Sequence, residues 1–351
     1  MSGVLSAKSV VPKNQYTQED ISDVLGEFWG EHSKAAKRFH DNSRVKTRNL
    51  VLPLEKYKSL ADFGSRNDLW IEHAIPMALE SVTQVLQEGE LKPQDVDLII
   101  STSITGIAVP SLEARLINLL NFKTETKRMP LFGLGCLGGA ACIARANDYL
   151  KAYPDQVVLI TATEICSLTF QLDDQSIANM VATGLFADGS AAVVMVGKDH
   201  PKYKNSKLQV IDSMSVFYPN TERIMGWDIN QNGFKIVLSG DVPGLVRENV
   251  PTGIDQFLDR HQLKKSDLGE VIAHPGGPKV LEALADAVGV GSDWFSHSWE
   301  SLSVNGNMSS VSVLDILSRT IKTSPTEDKL GLLMAMGPAF CSEMVLTKRL
   351  G

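Results

Sequence analysis

A cysteine set among glycines is the residue best placed for covalent chemistry. Residues 131–142 read as the end of an apolar strand, a tight turn holding Cys136, and the start of a helix of small residues. Glycines on both sides let the backbone pass close to other groups, and the dipole of the following helix would lower the pKa of the thiol. Because the thiolate is the nucleophile, this pattern predicts a covalent acyl intermediate on Cys136. The remaining cysteines are interpreted as small buried apolar residues: Cys142, Cys166 and Cys341.

One histidine differs from the other six. His274 ends an apolar strand and is followed by the glycine- and proline-rich residues 275–279. Such a rigid turn would hold the imidazole at a strand end, where open α/β sheets usually carry their sites. The others lie in charged or helical contexts and are interpreted as surface or structural: His32, His40, His73, His200, His261 and His297.

An internal repeat relates the cysteine to this histidine. Residues 263–274 can be laid over residues 91–102, with Leu, Lys, Asp and the apolar positions matching. Subtraction of sequence numbers puts Cys136 34 residues after Thr102 and Asn307 33 residues after His274, and Asn307 lies in a second glycine-flanked turn. The repeat predicts two similar halves facing each other, with Cys136 against His274 and Asn307.

These three side chains suit one kind of reaction. An imidazolium beside a thiolate would stabilise it at neutral pH. His274 and Asn307 could also donate two hydrogen bonds to one oxygen, either an oxyanion on a thioester or an enolate formed by loss of carbon dioxide. Decarboxylative carbon–carbon bond formation fits this arrangement better than hydrolysis, since the carbanion equivalent must be kept from water.

Strand and helix patterns alternate along the chain, which predicts the α/β class. The polar, charged residues 198–207 are the best linker between the halves, so the predicted domains are 1–205, carrying the cysteine, and 206–351, carrying His274 and Asn307. The main predicted elements are a strand over 4–11, a helix from Thr17 to about Trp29, a helix over 70–87, a strand over 98–102, a helix beginning near Ser111, a strand over 157–162, and a turn at Asp188 and Gly189 leading into a strand.

Composition narrows the classes of function. The chain has 351 residues, of which 43% are hydrophobic and 21% charged, with a formal net charge of −7. That balance is typical of a globular protein and argues against a nucleic-acid surface. Four cysteines without a CxxC pair indicate neither a zinc site nor a disulfide framework, and no metal is expected. The N-terminus does not resemble a signal peptide and no apolar run is long enough to span a membrane, so a cytoplasmic location is predicted.

A basic stretch stands out in this acidic protein. Residues 34–48 are rich in lysine and arginine, and five of their side chains could line the mouth of a site for a phosphorylated ligand. The alternative is a solvated helix face.

Together the motifs resemble one family over nearly the whole chain: the type III polyketide synthases, or chalcone synthase-like enzymes. The motifs are Gly-Cys-x-Gly-Gly-Ala at Cys136, His-Pro-Gly-Gly-Pro at His274, Gly-Asn-Met-Ser-Ser at Asn307, and Gly-Pro-Ala-Phe-Cys-Ser-Glu ending at Glu343. The resemblance implies a thiolase-like, five-layered αβαβα fold of two pseudo-repeated halves, a homodimer, and a Cys-His-Asn triad. It also implies acyl-coenzyme A and malonyl-coenzyme A as substrates, with no cofactor.

Several further residues fall at functional positions of the family. Phe186 matches a gatekeeper phenylalanine, and Ile236 stands at the second gatekeeper. Thr169, Cys166 and Ser309 fall where the family lines its elongation cavity. Trp227 replaces a glycine of plant enzymes, and Val109 stands where those enzymes send a methionine into the partner's cavity. For coenzyme A, Arg38 is matched, whereas Ala35 and Asn42 replace two basic residues, so that Lys34, Lys37 or Arg44 would have to compensate.

The resemblance predicts an acyltransferase that extends an acyl group on Cys136 by repeated malonyl condensation and then cyclises it. Local likeness to bacterial members favours a fatty acyl starter and an alkylpyrone or alkylresorcinol product. Ile236 is compatible with an alkyl chain, whereas Trp227 fills volume. A single-condensation ketoacyl synthase, a Cys-His-Asn thiol hydrolase and a catalytically silent dimerising scaffold are the alternatives.

Overall fold

The computed structural model of the chain describes residues 1–60, 62–323 and 328–350. In these ranges the helices are α1 (Gln18–Trp29), α2 (Ser33–Asp41), α3 (Phe63–Glu88), α4 (Leu112–Leu120), α5 (Gly138–Ala152), α6 (Ile177–Leu185), α7 (Val242–Asp259), α8 (Pro278–Val288), α9 (Ser296–Asn305) and α10 (Ser310–Lys322). The strands are β1 (Ser2–Val10), β2 (Asn14–Thr17), β3 (Thr47–Leu50), β4 (Leu98–Thr102), β5 (Lys127–Leu131), β6 (Val157–Ile165), β7 (Asp188–Gly197), β8 (Leu208–Phe217), β9 (Met225–Asn230), β10 (Gly233–Leu238), β11 (Glu270–Ala273), β12 (Lys329–Gly337) and β13 (Cys341–Arg349).

Side-chain caps fix the first turns of α1 and α3. The Thr17 hydroxyl accepts from the Asp20 N–H at 3.1 Å and the Asp20 carboxylate accepts from the Thr17 N–H at 2.9 Å, a capping box that confirms the predicted start of α1. The helix predicted near Ser111 begins at the next residue. The start predicted for α3 was too late, because the Asp62 carboxylate caps the Ser65 N–H at 3.0 Å and begins the helix at Phe63.

The two halves of the chain contribute equivalent strands to one nine-stranded sheet. Its order is β11-β12-β13-β8-β1-β7-β6-β4-β5. Strands β4 and β6 run parallel, as do β11 and β12, while the next pairs inward are antiparallel in both halves. The halves meet where β1 pairs with β8. Read outward from this junction, β1-β7-β6-β4 repeats β8-β13-β12-β11, which confirms the pseudo-repeat.

Matching turns lead into the equivalent strands β4 and β11. The Lys92 N–H donates to the Asp95 carboxylate at 2.7 Å, and the Lys264 N–H donates to the Asp267 carboxylate at 2.7 Å. The lysine and aspartate that aligned in the sequence therefore occupy the same local structure in both halves.

Alternation along the strands separates the layers. On β6, Ile160 packs into a central apolar cluster with α5 and α10, whereas Leu159 packs into an outer cluster with α1, α3 and α4. On β12, Leu333 joins the central cluster and Leu332 joins a second outer cluster with α7, α8 and α9. Each half of the sheet thus has one face on α5 and α10 and the other on its own helices. The result is the predicted thiolase-like αβαβα arrangement.

Glycines at the start of α5 allow this central layer to form. A Cβ on Gly139 would collide with the Ser310 carbonyl, and one on Gly138 would lie 2.8 Å from the Thr102 hydroxyl. The two helices that follow the repeated turns therefore pack in close backbone contact.

The turn predicted at Asp188 and Gly189 is wrong: both residues belong to β7. The Asp188 carboxylate is buried and accepts from the Val51 N–H at 2.8 Å and the Ser167 hydroxyl at 2.6 Å. These contacts hold Asp188 in extended structure, although an Asp-Gly pair favours turns.

The division of the chain at residue 205 stays a prediction. Residues 198–207 connect β7 to β8 and contain a short 3₁₀ turn, Tyr203–Asn205. Within the described ranges, none of the helices combines the length and apolarity needed to cross a bilayer.

Candidate active site

The Cys136 turn lies between β5 and α5. A 3₁₀ turn, Gly135–Leu137, carries the cysteine directly to the first turn of α5. Gly133 and Gly135 have φ of 88° and 52°, which only glycine adopts readily. A Cβ on Gly135 would also lie 2.7 Å from Pro338, which follows β12. Backbone conformation and close packing therefore both require the glycines around Cys136.

Cys136 opens onto a small cavity of about 50 Å³. The strands β9 and β10, which form a separate hairpin, supply one wall of it. Five of the residues predicted for catalysis or substrate binding line the cavity: Cys136, Phe186, Trp227, Ile236 and Ser309. The other lining residues are Ile104, Gly135, Met225, Gly226, Val237, Leu238 and Pro338.

Three residues predicted for substrate binding lie outside this lining. Cys166 and Thr169 are buried in a 3₁₀ turn after β6, where the Thr169 hydroxyl donates to the Cys166 carbonyl at 2.7 Å. Val109 is 92% exposed in the loop before α4. In a single copy of the chain, the structure does not bring these side chains to the Cys136 cavity.

Asn307 is hydrogen-bonded to the segment that carries Phe186. The Asn307 N–H donates to the Leu185 carbonyl at 2.8 Å, and the Ala187 N–H donates to the Asn307 carbonyl at 2.9 Å. This bridge fixes the backbone of the predicted gatekeeper against the predicted oxyanion donor, although the two are 121 residues apart by subtraction.

Hydrogen bonds link the three predicted triad residues through their turns. The Cys136 thiol donates to the Ser309 hydroxyl at 3.7 Å, and the Ser309 N–H donates to Asn307 Oδ1 at 2.8 Å. Asn307 Nδ2 donates to the Gly276 carbonyl at 3.4 Å, and the Gly276 N–H donates to the His274 carbonyl at 3.1 Å. The turn that carries Asn307 is thus in contact with the turn that follows His274, and through Ser309 it also contacts Cys136.

The His274 ring is buried without a protein partner. His274 is the first residue after β11, and only 2% of it is exposed. Neither ring nitrogen has a hydrogen-bond partner among the described residues. An unpaired buried polar atom costs about 1–3 kcal/mol. A substrate oxygen that accepted from this ring would remove that cost.

Burial shifts the pKa of both ionisable groups in the direction that favours the neutral form. It raises the pKa of the Cys136 thiol to about 12, with the Ser309 hydrogen bond lowering it and the Glu164 carboxyl raising it further. Burial lowers the pKa of His274 to about 3. The sequence predicted a lowered thiol pKa, whereas burial raises it. Both shifts favour a neutral thiol and a neutral imidazole in the unliganded site.

Alkylation of Cys136 tests this neutral pair. At pH values below the pKa of a thiol, the thiolate fraction increases about tenfold for each rise of one pH unit. The rate of iodoacetamide labelling at Cys136 is therefore expected to rise steadily from about pH 6.5 to 9.5. A plateau above about pH 7 would instead indicate a thiolate–imidazolium pair. The Cys136→Ala protein measures labelling at the other cysteines.

A buried glutamate, not selected from the sequence, joins the two halves beside Cys136. Glu164 Oε2 accepts from the Ser103 hydroxyl at 3.1 Å, the Ile104 N–H at 3.0 Å and the Thr105 hydroxyl at 2.8 Å. Its Oε1 accepts from the Ser310 hydroxyl at 2.5 Å. The sequence could have indicated Glu164, because it is an acidic residue near the end of an apolar strand, and acidic residues are rarely buried without partners.

Arg48 also differs from its sequence-based interpretation. It was grouped with residues that could line the mouth of a phosphate site, but it is fully buried. Its guanidinium donates to the Thr183 carbonyl at 2.6 Å, the Phe186 carbonyl at 2.8 Å and Gln18 Oε1 at 2.8 Å. Arg48 thus satisfies carbonyls at the C-terminal end of α6 and positions the backbone of Phe186.

The residues predicted for coenzyme A lie on α2. Lys34, Lys37 and Arg38 are exposed there. Lys37 Nζ lies 3.4 Å from the Asp23 carboxylate, an exposed pair. Arg44, the further candidate, lies over the Trp299 ring at 4.6 Å and pairs with Glu282 on α8. The loop after α2 is therefore next to α8, the helix that follows the His274 turn.

Comparisons with known proteins agree with this geometry. Residues 2–200 match the family model for the N-terminal domain of chalcone and stilbene synthases, and residues 209–351 match the model for the C-terminal domain. A 1,3,6,8-tetrahydroxynaphthalene synthase from Streptomyces peucetius subsp. caesius is 39% identical, and the alignment covers 99% of this chain and 93% of the relative. A putative chalcone synthase from Bacillus subtilis is 35% identical, with 99% and 98% covered.

A solved structure shows the same fold. The crystal structure of 1,3,6,8-tetrahydroxynaphthalene synthase from Streptomyces coelicolor A3(2), described as a bacterial type III polyketide synthase, superposes with a TM-score of 0.94 at 31% identity. The match covers 99% of both chains. The chain therefore belongs to the chalcone and stilbene synthase family: it is a type III polyketide synthase, an acyltransferase with the thiolase-like fold.

Proposed function

We propose that Cys136 carries the growing acyl chain and that His274 and Asn307 stabilise the oxyanion and enolate. The observation that supports this most is the hydrogen-bonded path from Cys136 through Ser309 and Asn307 to the His274 turn. Cys136 and Ser309 line the apolar cavity, whereas Asn307 and His274 are not among its lining residues. The hydrogen-bonded path connects the cavity to the Asn307 amide and to the turn that carries the unpartnered His274 imidazole.

Loading begins when the Cys136 proton passes to His274. The sulfur attacks the carbonyl carbon of acyl-coenzyme A, a new carbon–sulfur bond forms, and the tetrahedral oxyanion accepts hydrogen bonds from His274 and Asn307. The bond to the coenzyme A sulfur then breaks, and that thiolate leaves with the proton from His274. Cys136 is left as a thioester.

Extension uses malonyl-coenzyme A. With its thioester oxygen on His274 and Asn307, the malonyl group loses carbon dioxide, and the electron pair of the broken bond becomes the enolate. The enolate carbon attacks the Cys136 thioester, so a carbon–carbon bond forms and the bond to Sγ breaks. The elongated chain leaves on coenzyme A and can reload Cys136. Apolar lining around the cavity excludes water from the enolate.

Cavity size favours a small starter. At about 50 Å³, the space beside Cys136 has the volume of about one or two water molecules. Trp227 narrows it, since its ring lies 6.4 Å from the Phe186 ring and 6.1 Å from the Phe234 ring. A starter of acetyl or malonyl size therefore suits this site better than a fatty acyl chain. The relative named a tetrahydroxynaphthalene synthase makes, by its name, an aromatic product without an alkyl chain.

Graded starters test this proposal. Purified protein is incubated with malonyl-coenzyme A alone or with acetyl-, hexanoyl-, lauroyl- or palmitoyl-coenzyme A, and the products are weighed by mass spectrometry. We expect several malonyl units per product and the highest turnover with starters that carry no long alkyl chain.

Trp227→Ala should shift the starter preference toward longer acyl chains, whereas Trp294→Ala, outside the cavity lining, should not. Efficient use of palmitoyl-coenzyme A by the unmodified protein would instead support the fatty acyl starter and the alkylpyrone or resorcinol product predicted from the sequence. One malonyl unit per product would indicate a single-condensation enzyme.

Coenzyme A is proposed to bind at Arg38 and Lys34, because both are exposed on α2 while Lys37 lies beside Asp23. Arg38→Ala is expected to raise the KM for malonyl-coenzyme A about tenfold by removing a charge-assisted phosphate contact. It should leave KM unchanged for the malonyl thioester of N-acetylcysteamine, which has no nucleotide. Arg260→Ala, at an exposed arginine after α7, is the control, and an equal effect on both thioesters would contradict the assignment.

A second copy of the chain is proposed to cover β5. This strand ends the sheet, and Phe132, directly after it, is 54% exposed, while Val109, in the loop before α4, is 92% exposed. An unpaired strand edge with apolar neighbours favours pairing with another chain. Light scattering is expected to give a dimer that Val109→Asp with Phe132→Asp converts to a monomer. Ile177→Asp, at another exposed apolar residue, should keep the dimer. A monomeric unmodified protein would refute the proposal.

A cytoplasmic location stays a prediction.

A further inference from the structure

Ser309 has a strained backbone at the site. Its φ is 50° and ψ is −126°, a conformation that residues with a Cβ rarely adopt. It precedes the first residue of α10 and is 3% exposed. Such strain costs about 1–3 kcal/mol and persists where the surrounding structure imposes it, most often at functional sites.

This conformation directs two polar groups of Ser309 to two different triad residues. The N–H donates to Asn307 Oδ1 at 2.8 Å, and the hydroxyl oxygen lies 3.7 Å from Cys136 Sγ and accepts from the thiol. A hydroxyl that accepts one hydrogen bond still has its own proton to donate. With Oδ1 occupied and one Nδ2 hydrogen directed to the Gly276 carbonyl, the second Nδ2 hydrogen remains for a substrate oxygen.

We propose that Ser309 is a further catalytic residue, whose hydroxyl reverses its hydrogen bond and donates to the Cys136 thiolate while its N–H orients the Asn307 carboxamide. The proposal rests on the proposed role of Cys136 as nucleophile. In the loading step the thiol proton moves to His274, the Ser309 hydroxyl turns its own proton toward Sγ, and no proton leaves Ser309. When Sγ bonds to the acyl carbon, the hydroxyl returns to accepting.

The surroundings of Sγ make such a donor useful. Glu164, from the end of β6, is buried close to Cys136; burial raises the pKa of its carboxyl, and in its ionised form its charge opposes a thiolate. Cys166, from the turn after β6, is a second titratable group in the same region, and His274 follows β11. A hydrogen bond from Ser309 would oppose the repulsion from the carboxylate within a region of low dielectric.

Two substitutions separate the hydroxyl from the strain. Ser309→Ala removes the hydroxyl and keeps both the strain and the N–H, whereas Ser309→Gly removes the hydroxyl and relieves the strain. If the hydroxyl donates to the thiolate, both variants should be alkylated by iodoacetamide at Cys136, and loaded by acyl-coenzyme A, about 10- to 100-fold more slowly at pH 8. Decarboxylation of malonyl-coenzyme A, which depends on His274 and Asn307, should change less than twofold.

Ser312→Ala is the matched control. Its hydroxyl is buried in the same turn but accepts from the Met308 N–H at 2.8 Å, so its loss should lower the melting temperature without slowing alkylation of Cys136. Alkylation of folded Ser309→Ala at the unmodified rate would overturn the proposal, and so would slow alkylation of Ser309→Gly alone. A change only in product length would show that the hydroxyl merely lines the cavity. Polyketide synthesis by Cys136→Ala would contradict the proposed function itself, whatever the Ser309 variants do.

Discussion

Cys136→Ala is expected to lower polyketide formation by at least about 10³-fold while leaving decarboxylation of malonyl-coenzyme A measurable. Removal of a nucleophile eliminates the covalent intermediate. His274 and Asn307 belong to other elements, however, and would still bind the thioester oxygen. Radiolabelled acyl-coenzyme A measures loading, and trapped carbon dioxide measures decarboxylation.

Cys142→Ala provides the comparison for this variant. Cys142 is fully buried on α5, the helix that follows the Cys136 turn, but it is absent from the residues lining the cavity. It should load and extend within about twofold of the unmodified protein. Unchanged polyketide output from Cys136→Ala would refute the assignment of the nucleophile.

Asn307→Asp is expected to lower malonyl decarboxylation about 10²- to 10³-fold. Aspartate keeps an oxygen to accept from the Ser309 N–H, so this contact of the turn is retained, whereas the hydrogen bond from Nδ2 to the Gly276 carbonyl is lost. It loses the amide donor and places a negative charge where the enolate develops, which reverses the stabilisation that a positioned donor supplies. Carbon dioxide release measured at saturating malonyl-coenzyme A gives the effect on kcat.

The same substitution at Asn230 is the control, because Asn230 lies exposed on β9 and accepts from the Asn232 N–H at 2.8 Å through an oxygen that aspartate retains. Its decarboxylation rate should be unchanged. If Asn307→Asp also decarboxylated malonyl-coenzyme A at the unmodified rate, Asn307 would have no role in holding the enolate.

Local patterns were sufficient to predict the framework. The alternation of strands and helices, the capping residue Thr17, the helix start near Ser111, and the repeat from residues 91–102 to 263–274 all depend on neighbours in sequence. These features can therefore be predicted without knowledge of tertiary contacts. The near-equal spacings to Cys136 and Asn307 were informative for the same reason, because duplicated halves place equivalent turns on equivalent strands.

Burial could not be predicted in the same way. Arg48 sits in a basic stretch that looks solvated, yet its guanidinium donates to the carbonyls of Thr183 on α6 and of Phe186 just after α6, both distant in sequence. Asp188 resembles a turn residue, but donors from two other segments hold it in a strand. Each outcome depends on partners that come together only when the halves pack.

By itself, then, the sequence determined the α/β class, the doubled architecture and the identity of the candidate nucleophile and oxyanion donors, since these depend on residue type and spacing. Only the tertiary structure decided the burial of Cys136 and His274, which shifts their pKa values, the volume beside the cysteine and the contact between Ser309 and the thiol. These properties depend on desolvation and on distances of a few ångströms between segments far apart in the chain, which no local pattern encodes.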